Sequence, residues 1–378
     1  MKHISFWLAL LFAPLLVLLL GNTTSDAYVW NLPKGFPPPR VPEDNPMTNA
    51  KVALGRYLFY DVRLSGNETQ SCASCHQQDK AFSDGATTAI GSTGEVHPRN
   101  SMSLTNAAYN PTQTWVNPNL TTLEKQIIIP MFGEFPVELG LAGMEKELVA
   151  RLESDERYQK MFADAFPEEE NPITVGNTVK ALASFTRSLI SFNSAYDRYV
   201  YERDKAALSE SARLGMNLFF SERFECHHCH GGFNFTQAID HANLASPQIQ
   251  FHNTGLYNVD GTGAYPEPNV GLFEFTRKDA DQGKFRAPSL RNVALTAPYM
   301  HDGSVKTLEE VLAFYEAGGR HISDGENAGD GRRNPNKSGF VPGFTLSEEE
   351  RQGLLDFLNS LTDETFLTNP DFSNPFQE

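Results

Sequence analysis

The sequence predicts a mainly α fold built as two duplicated halves with long loops. Three observations carry that reading. The pentapeptide at residues 72–76, CASCH, returns near the middle of the chain at residues 226–230 as CHHCH. A shared cassette precedes each copy: Leu54, Gly55, Leu58 and Phe59 in LGRYLF, then Leu214, Gly215, Leu218 and Phe219 in LGMNLF. Between them, Val175, Val179, Leu182, Phe185 and Leu189 recur at helical spacing, as a core-facing helix requires. The cassettes stand 160 positions apart and the pentapeptides 154, so the first copy carries a short insertion. Phe82 and Phe233 follow the two pentapeptides at similar distance. A repeat this long implies two duplicated domains rather than a solenoid, whose units are shorter.

C-x-x-C-H is the attachment signature of a c-type haem. Two thiols add to the haem vinyl groups, and the adjacent histidine becomes the proximal iron ligand. Cys72, Cys75 and His76 therefore hold one haem, and Cys226, Cys229 and His230 a second. The chain has 4 cysteines and the motifs use all of them, leaving none for a disulfide. A zinc ribbon needs its two pairs about 15–20 residues apart, whereas Cys75 and Cys226 stand 151 apart. A redox dithiol does not need a histidine directly after the second cysteine, twice. The expected architecture is two cytochrome c-like haem domains, 28–205 and 206–378, carrying two covalently bound haem c.

Residues 1–27 read as a signal peptide. Lys2 and His3 precede an apolar run over residues 6–20, and polar residues follow up to Ser25, Asp26 and Ala27. The run is short for a membrane span, with an uncleaved anchor as the alternative. Export to the periplasm agrees with c-type haem. The formal charge of −16 argues against nucleic acid or an anionic membrane as partner. It suits a protein that docks on another protein, and simple solubility equally.

Along the chain, residues 30–45 are proline-rich and read as an extended arm, with a helix expected from near Pro46. Residues 123–129 form a short apolar run, and PVELGLAG at 136–143 a loop. Leu148 and Leu152, then Met161, Phe162 and Phe166, mark further helical faces. The chain turns polar over residues 204–210, where the boundary between halves is expected, with Ser209 as the cap of the next helix. Residues 241–284 read as a long loop able to cover a haem edge. Thr307 with Glu310, and Ser347 with Glu350, form capping boxes that each open a helix. Residues 324–330 read as a solvated acidic loop without the alternating ligands of a calcium-binding hand.

The two motifs, together with FRAPSLRNVALTAPYMHDG at residues 285–303, resemble the bacterial dihaem cytochrome c peroxidase and MauG superfamily over nearly all of the mature chain. Five stretches are similar to its methanobactin-associated branch, the MbnH type: SCASCHQQDKAFSDG, GSTGEVHPRNSMSL, FGEFPVELGLAG, FHNTGLYN and SLTDETFLTNP. The resemblance implies roles for particular residues. In the peroxidases a histidine sixteen residues beyond the first haem ligand fills that iron's sixth position; here Ser92 stands there. The first haem is therefore expected to be open. His97 is the nearest candidate ligand and reads better as a loop or supporting residue. On the second haem, Tyr315 occupies the position of the peroxidases' ligating methionine, as in MauG-type proteins. It shares an apolar helix face with Leu308, Val311 and Leu312. Met300 is the competing ligand. A phenolate oxygen favours oxidised iron, whereas methionine sulfur raises the potential.

Glu138 falls where the family has its distal acid–base glutamate, and Gln126 matches a pocket glutamine. Trp115 lies 39 residues after His76, the position of the tryptophan between the two haems. The family also carries one Ca²⁺, which Asn100 would bind by its side chain and Thr296 and Pro298 by their carbonyls; mixed oxygen donors suit that ion. The implied activity is peroxide-dependent oxidation. Two oxidising equivalents are stored on the two haems and spent on a periplasmic protein partner, in the MbnH type a tryptophan of a copper-binding protein converted to kynurenine. Two rivals are a hydrogen peroxide reductase using a small cytochrome c as donor, and a non-enzymatic dihaem electron carrier.

Overall fold

The computed structural model describes residues 26–377, so the signal-peptide reading lies almost wholly outside the described residues. The regular structure of the described residues is almost all helical. Their strands are two short antiparallel pairs, Phe251–His252 with Phe285–Arg286 and His321–Ile322 with Gly329–Asp330.

Helix α1, Asn49–Tyr60, carries the first cassette and is capped by the Thr48 side chain, which accepts from the Lys51 N–H. It begins three residues after Pro46, whose carbonyl accepts from Lys51 Nζ at 3.0 Å. Helices α2, Leu123–Phe132, α3, Glu145–Glu153, and α4, Glu156–Ala165, precede α5, Val175–Ser188. Helix α6, Glu210–Phe219, carries the second cassette and has Ser209 as its cap. Helices α7, Leu308–Glu316, and α8, Glu348–Asn359, complete the second half.

The duplicated cassette encodes a duplicated helix crossing. Helix α1 packs on α5, and α6 packs on α8. A Cβ on Gly55 would lie 2.0 Å from the Ala181 carbonyl oxygen, and one on Gly215 would lie 1.8 Å from the Gly353 carbonyl oxygen. Each glycine thus lets its helix seat directly on the backbone of its partner. The flanking Leu54, Leu58 and Phe59 fill one core; Phe219 and Phe235 join Leu308, Leu312, Leu354 and Phe357 in the other. Gly215→Ala should cost about 1–3 kcal/mol, the usual penalty for overpacking. A lower denaturation midpoint of the haem-loaded protein checks it.

Packing also crosses between the halves. Tyr196, from the short helix Ala195–Val200, belongs to the second core, and Phe366 and Phe372 from the C-terminal end belong to the first. The buried Arg291–Asp197 pair, with N–O distances of 2.7 and 2.9 Å, fastens the Ala195–Val200 helix to the FRAPSLRNV segment. Removing one partner of such a pair is costly because the other charge stays buried.

Local expectations are refined in four places. Ser347 and Glu350 form the full reciprocal box. Thr307 Oγ1 accepts from the Glu310 N–H, but the Glu310 carboxylate reaches one residue further back, to the Lys306 N–H at 2.7 Å. The expected loop at 241–284 holds one strand of a β pair and a one-turn helix, Phe273–Thr276. The acidic 324–330 loop ends in the other β pair, where Asp330 binds Arg332.

Candidate haem and peroxide site

Both pentapeptides fold into the same turn. The His76 N–H donates to the Cys72 carbonyl at 3.1 Å, and the His230 N–H to the Cys226 carbonyl at 3.0 Å. The residue that orients each histidine corrects the sequence reading: the counterpart of Phe82 is Phe235, not Phe233. His76 Nδ1 lies 2.9 Å from the Phe82 carbonyl, and His230 Nδ1 lies 3.2 Å from that of Phe235 and 3.1 Å from that of Pro288. Phe82 and Phe235 are both fully buried with positive φ, 59° and 50°, a backbone shape that turns the carbonyl back on the ring.

A carbonyl can only accept, so the proton of each imidazole sits on Nδ1 and leaves the Nε2 lone pair free for iron. Burial holds both rings in this neutral form, lowering His76 and taking His230 down to about 4. Burial also lifts the thiols, Cys72 and Cys226 to about 12 and Cys75 and Cys229 to about 11. These sulfurs stand in for the thioether sulfurs of the attached cofactor. As thiols they are far from the reactive, thiolate-forming type.

A cavity of about 240 Å³ opens over His230, between the attachment turn and α7. Leu308, Val311, Leu312 and Tyr315 line it from that helix, as the helical face predicts. The cavity fits a haem in two independent ways. Its walls are mainly apolar, and it contains a buried guanidinium with no counter-charge. Arg286 is 1 % exposed, and its hydrogen bonds go to the Thr114 carbonyl, Asn110 Oδ1 and the Met102 sulfur. Burial lowers it to about 10. A cation so placed calls for an anion, and a haem propionate is one.

Tyr315 sits in the same cavity with its phenol pushed up, first by burial and then by Cys229 and Cys226. The protein alone keeps it protonated, so ligation needs a metal cation to displace the proton. Met300 lines the cavity too, and it adopts φ 70°, which is unusual for a residue with a side chain. Two histidines missed by the sequence reading, the partly buried His252 and the buried His301, also line it, each with a buried, unpartnered Nε2. His301 stacks on Phe285 at 3.6 Å and is lowered to about 3 by burial. Their signal was present: His301 and Arg286 lie inside FRAPSLRNVALTAPYMHDG, and His252 inside FHNTGLYN.

Trp115 joins this cavity to the first half. Its Nε1–H donates to the Asn100 carbonyl at 2.9 Å, and the Asn100 N–H donates to the His301 carbonyl at 2.8 Å. Asn100, Thr296 and Pro298, the expected Ca²⁺ ligands, line the same cavity beside Trp115. None of the three is a carboxylate.

The first attachment turn has a different neighbour. Glu138 lies close enough to Cys72 and Cys75 to raise both, and burial alone lifts its own carboxyl to about 7. The 89–97 loop holds it there. The Ser92 N–H donates to the Glu138 carbonyl at 2.7 Å, and a Cβ on Gly91 would fall 1.8 Å from the Val137 carbonyl oxygen. His97 leans on the Val137 carbonyl, in keeping with a supporting position. Gln126, from α2, has its Oε1 buried and unpartnered. A carboxyl poised near neutrality can both accept and return a proton. If the deprotonated Glu138 carboxylate serves as the base, the rate of reaction with peroxide should fall as pH drops through about 7. Stopped-flow measurement across that range checks this.

The fold and the two turns define a dihaem c-type cytochrome. Comparison with known proteins supports and narrows this. A family model described as di-haem cytochrome c peroxidase matches residues 49–205. The chain is 34% identical to the cytochrome-c peroxidase IdrP1 of Denitromonas iodatirespirans, over 86% of this chain and 85% of that one. It is 31% identical to the methylamine utilization protein MauG of Methylophilus methylotrophus, over 91% and 92%. A crystal structure of a MauG-like protein associated with microbial copper homeostasis superposes with a TM-score of 0.90 at 51% identity, covering 93% of this chain and all of that one. The chain belongs to the dihaem cytochrome c peroxidase and MauG family, and it is a peroxidase-type oxidoreductase whose family carries two haem c. No helix among the described residues is long and apolar enough to cross a membrane.

Proposed function

We propose that this protein is a periplasmic, protein-modifying peroxidase. It reacts with hydrogen peroxide on the His76 side and oxidises a docked protein from the His230 side. The observation that carries the reading is the asymmetry of the two sites. Glu138, held near neutrality, stands within electrostatic reach of the first turn, and the phenol of Tyr315 lines the cavity over the second. When bound, the haems supply the redox chemistry: reduction of peroxide at an open iron, and storage of oxidising equivalents across two irons.

The chain's own residues do the rest. Glu138 takes a proton from peroxide on its carboxylate and gives it to the departing oxygen. Gln126 would orient peroxide there, its amide N–H donating to a peroxide oxygen and its free Oε1 accepting the peroxide proton. Trp115, fixed by its bond to Asn100, relays charge between the two sites. Tyr315, ahead of Met300, would hold the second haem's iron, and its oxygen would favour the oxidised states. Asn100, Thr296 and Pro298 would hold a Ca²⁺, which would stiffen the segment on which Trp115 rests.

For the partner, the 51% identical protein associated with microbial copper homeostasis supports a copper-binding protein in which a tryptophan becomes kynurenine. The relatives named cytochrome-c peroxidase favour a second reading, with a reduced cytochrome c as donor. The ferric spectrum tests the division of labour. One high-spin and one low-spin haem are expected; two low-spin haems would make the chain an electron carrier.

A further inference from the structure

Haem attachment leaves two residues of the second pentapeptide unused, His227 and His228. Neither lines the cavity over His230. Both turn instead toward Glu222, on the loop that leads into the motif. His227 Nε2 lies 3.4 Å from Glu222 Oε1, and His228 Nε2 lies 3.3 Å from Glu222 Oε2. Ligand atoms from the three side chains all fall within 4.8 Å of one another. His228 Nε2 is also 2.9 Å from Glu225 Oε2, a buried oxygen that makes no hydrogen bond. The His228 ring is stacked on Phe340 at 4.4 Å and nearly parallel to it, which limits its rotation.

We propose that Glu222, His227 and His228 form a binding site for a late first-row divalent cation, with Glu225 as a fourth donor. The spacing supports this. Atoms about 2.0–2.1 Å from a tetrahedral ion stand roughly 3.3–3.4 Å apart; His227 and His228 each stand at that separation from a different oxygen of the Glu222 carboxylate. Charge-assisted hydrogen bonds are shorter, about 2.7–2.9 Å, so two of the three contacts are long for simple ion pairs. The donor set selects the ion. Imidazole with carboxylate suits Zn²⁺ and Cu²⁺, with Cu²⁺ the tighter by the ordinary order of affinities. Ca²⁺ and Mg²⁺ prefer oxygen ligands alone. Glu222, His227 and His228 do not line that cavity, although Glu225 and Phe340 do, so the three main donors can take an ion with both haems in place.

The test uses the full haem-loaded protein. Zn²⁺, which undergoes no redox chemistry with haem, is titrated calorimetrically, and Cu²⁺ is added for electron paramagnetic resonance. The expected result is one Zn²⁺ bound through this site, with Ca²⁺ and Mg²⁺ failing to compete. Glu222→Ala and His228→Ala should each weaken binding by roughly tenfold or more. Nitrogen couplings from two imidazoles should appear on Cu²⁺ and fall to one in His228→Ala. Unchanged haem absorption shows that the variants remain loaded. Should a histidine variant lose haem, Glu222→Ala decides, because that side chain is 79% exposed and the fold does not lean on it. No binding by the wild type, or equal binding by Glu222→Ala, would overturn the proposal.

Discussion

Glu138→Gln should slow the reaction with hydrogen peroxide by about 10²–10⁴-fold, the range that positioned acid–base groups contribute. The substitution keeps the size and shape of the side chain and removes only its ability to exchange a proton. Glu138 is near enough to Cys72 and Cys75 for its charge to be felt there, and its carboxyl stands near 7 because burial disfavours the charge. Glutamine at that place is neutral at every pH. The variant should therefore lose the fall in rate below pH 7 as well as most of the rate. Haem attachment and the spectrum of the second haem should not change. Stopped-flow kinetics across pH read both effects together. A variant that kept the wild-type rate and pH profile would remove Glu138 from the proposed chemistry.

Tyr315→Met has the second large effect, on storage rather than on the peroxide step. A sulfur ligand in place of a phenolate should raise the potential of the His230 haem by a hundred millivolts or more, within the roughly 0.8 V that axial ligands span. The variant should then behave as a cytochrome-oxidising peroxidase and fail to hold two oxidising equivalents. The structure makes the test clean in one respect. Tyr315 points from α7 into a cavity already lined by apolar residues and by Met300, so methionine enters without adding a charge. Spectroelectrochemistry gives the potential. If the second haem keeps the wild-type potential, Tyr315 is not its ligand and Met300 becomes the candidate.

What the sequence disclosed was local or repeated. The two attachment turns, the Ser209 cap and the Ser347–Glu350 box are each set by residues a few positions apart. The cassette glycines were visible as a repeat, but their purpose was not. Gly55 and Gly215 matter because the Ala181 and Gly353 backbones lie against them, more than a hundred residues further along the chain. Arg286 was hidden for the same reason. Its partners, Met102, Asn110 and Thr114, lie far back in sequence, and its lack of an acidic partner shows only once the cavity is closed. Phe235, not Phe233, is the counterpart of Phe82 by spacing as well: it follows His230 by five residues, as Phe82 follows His76 by six, while Phe233 follows by three. The left-handed turn at Phe235 brings its carbonyl to His230. Residues such as Glu138, Gln126 and Trp115 entered as candidates only through resemblance. Taken singly, an acid in a loop or a half-buried tryptophan carries little signal.

The most direct measurement of the central claim is mass spectrometry of the neighbouring gene's product after incubation with this protein and hydrogen peroxide. The account predicts a tryptophan oxidised to kynurenine only when both the haem-loaded protein and peroxide are present. An unmodified partner, alongside rapid peroxide-driven oxidation of a reduced cytochrome c, would contradict it and leave the buried Tyr315 without the role proposed here.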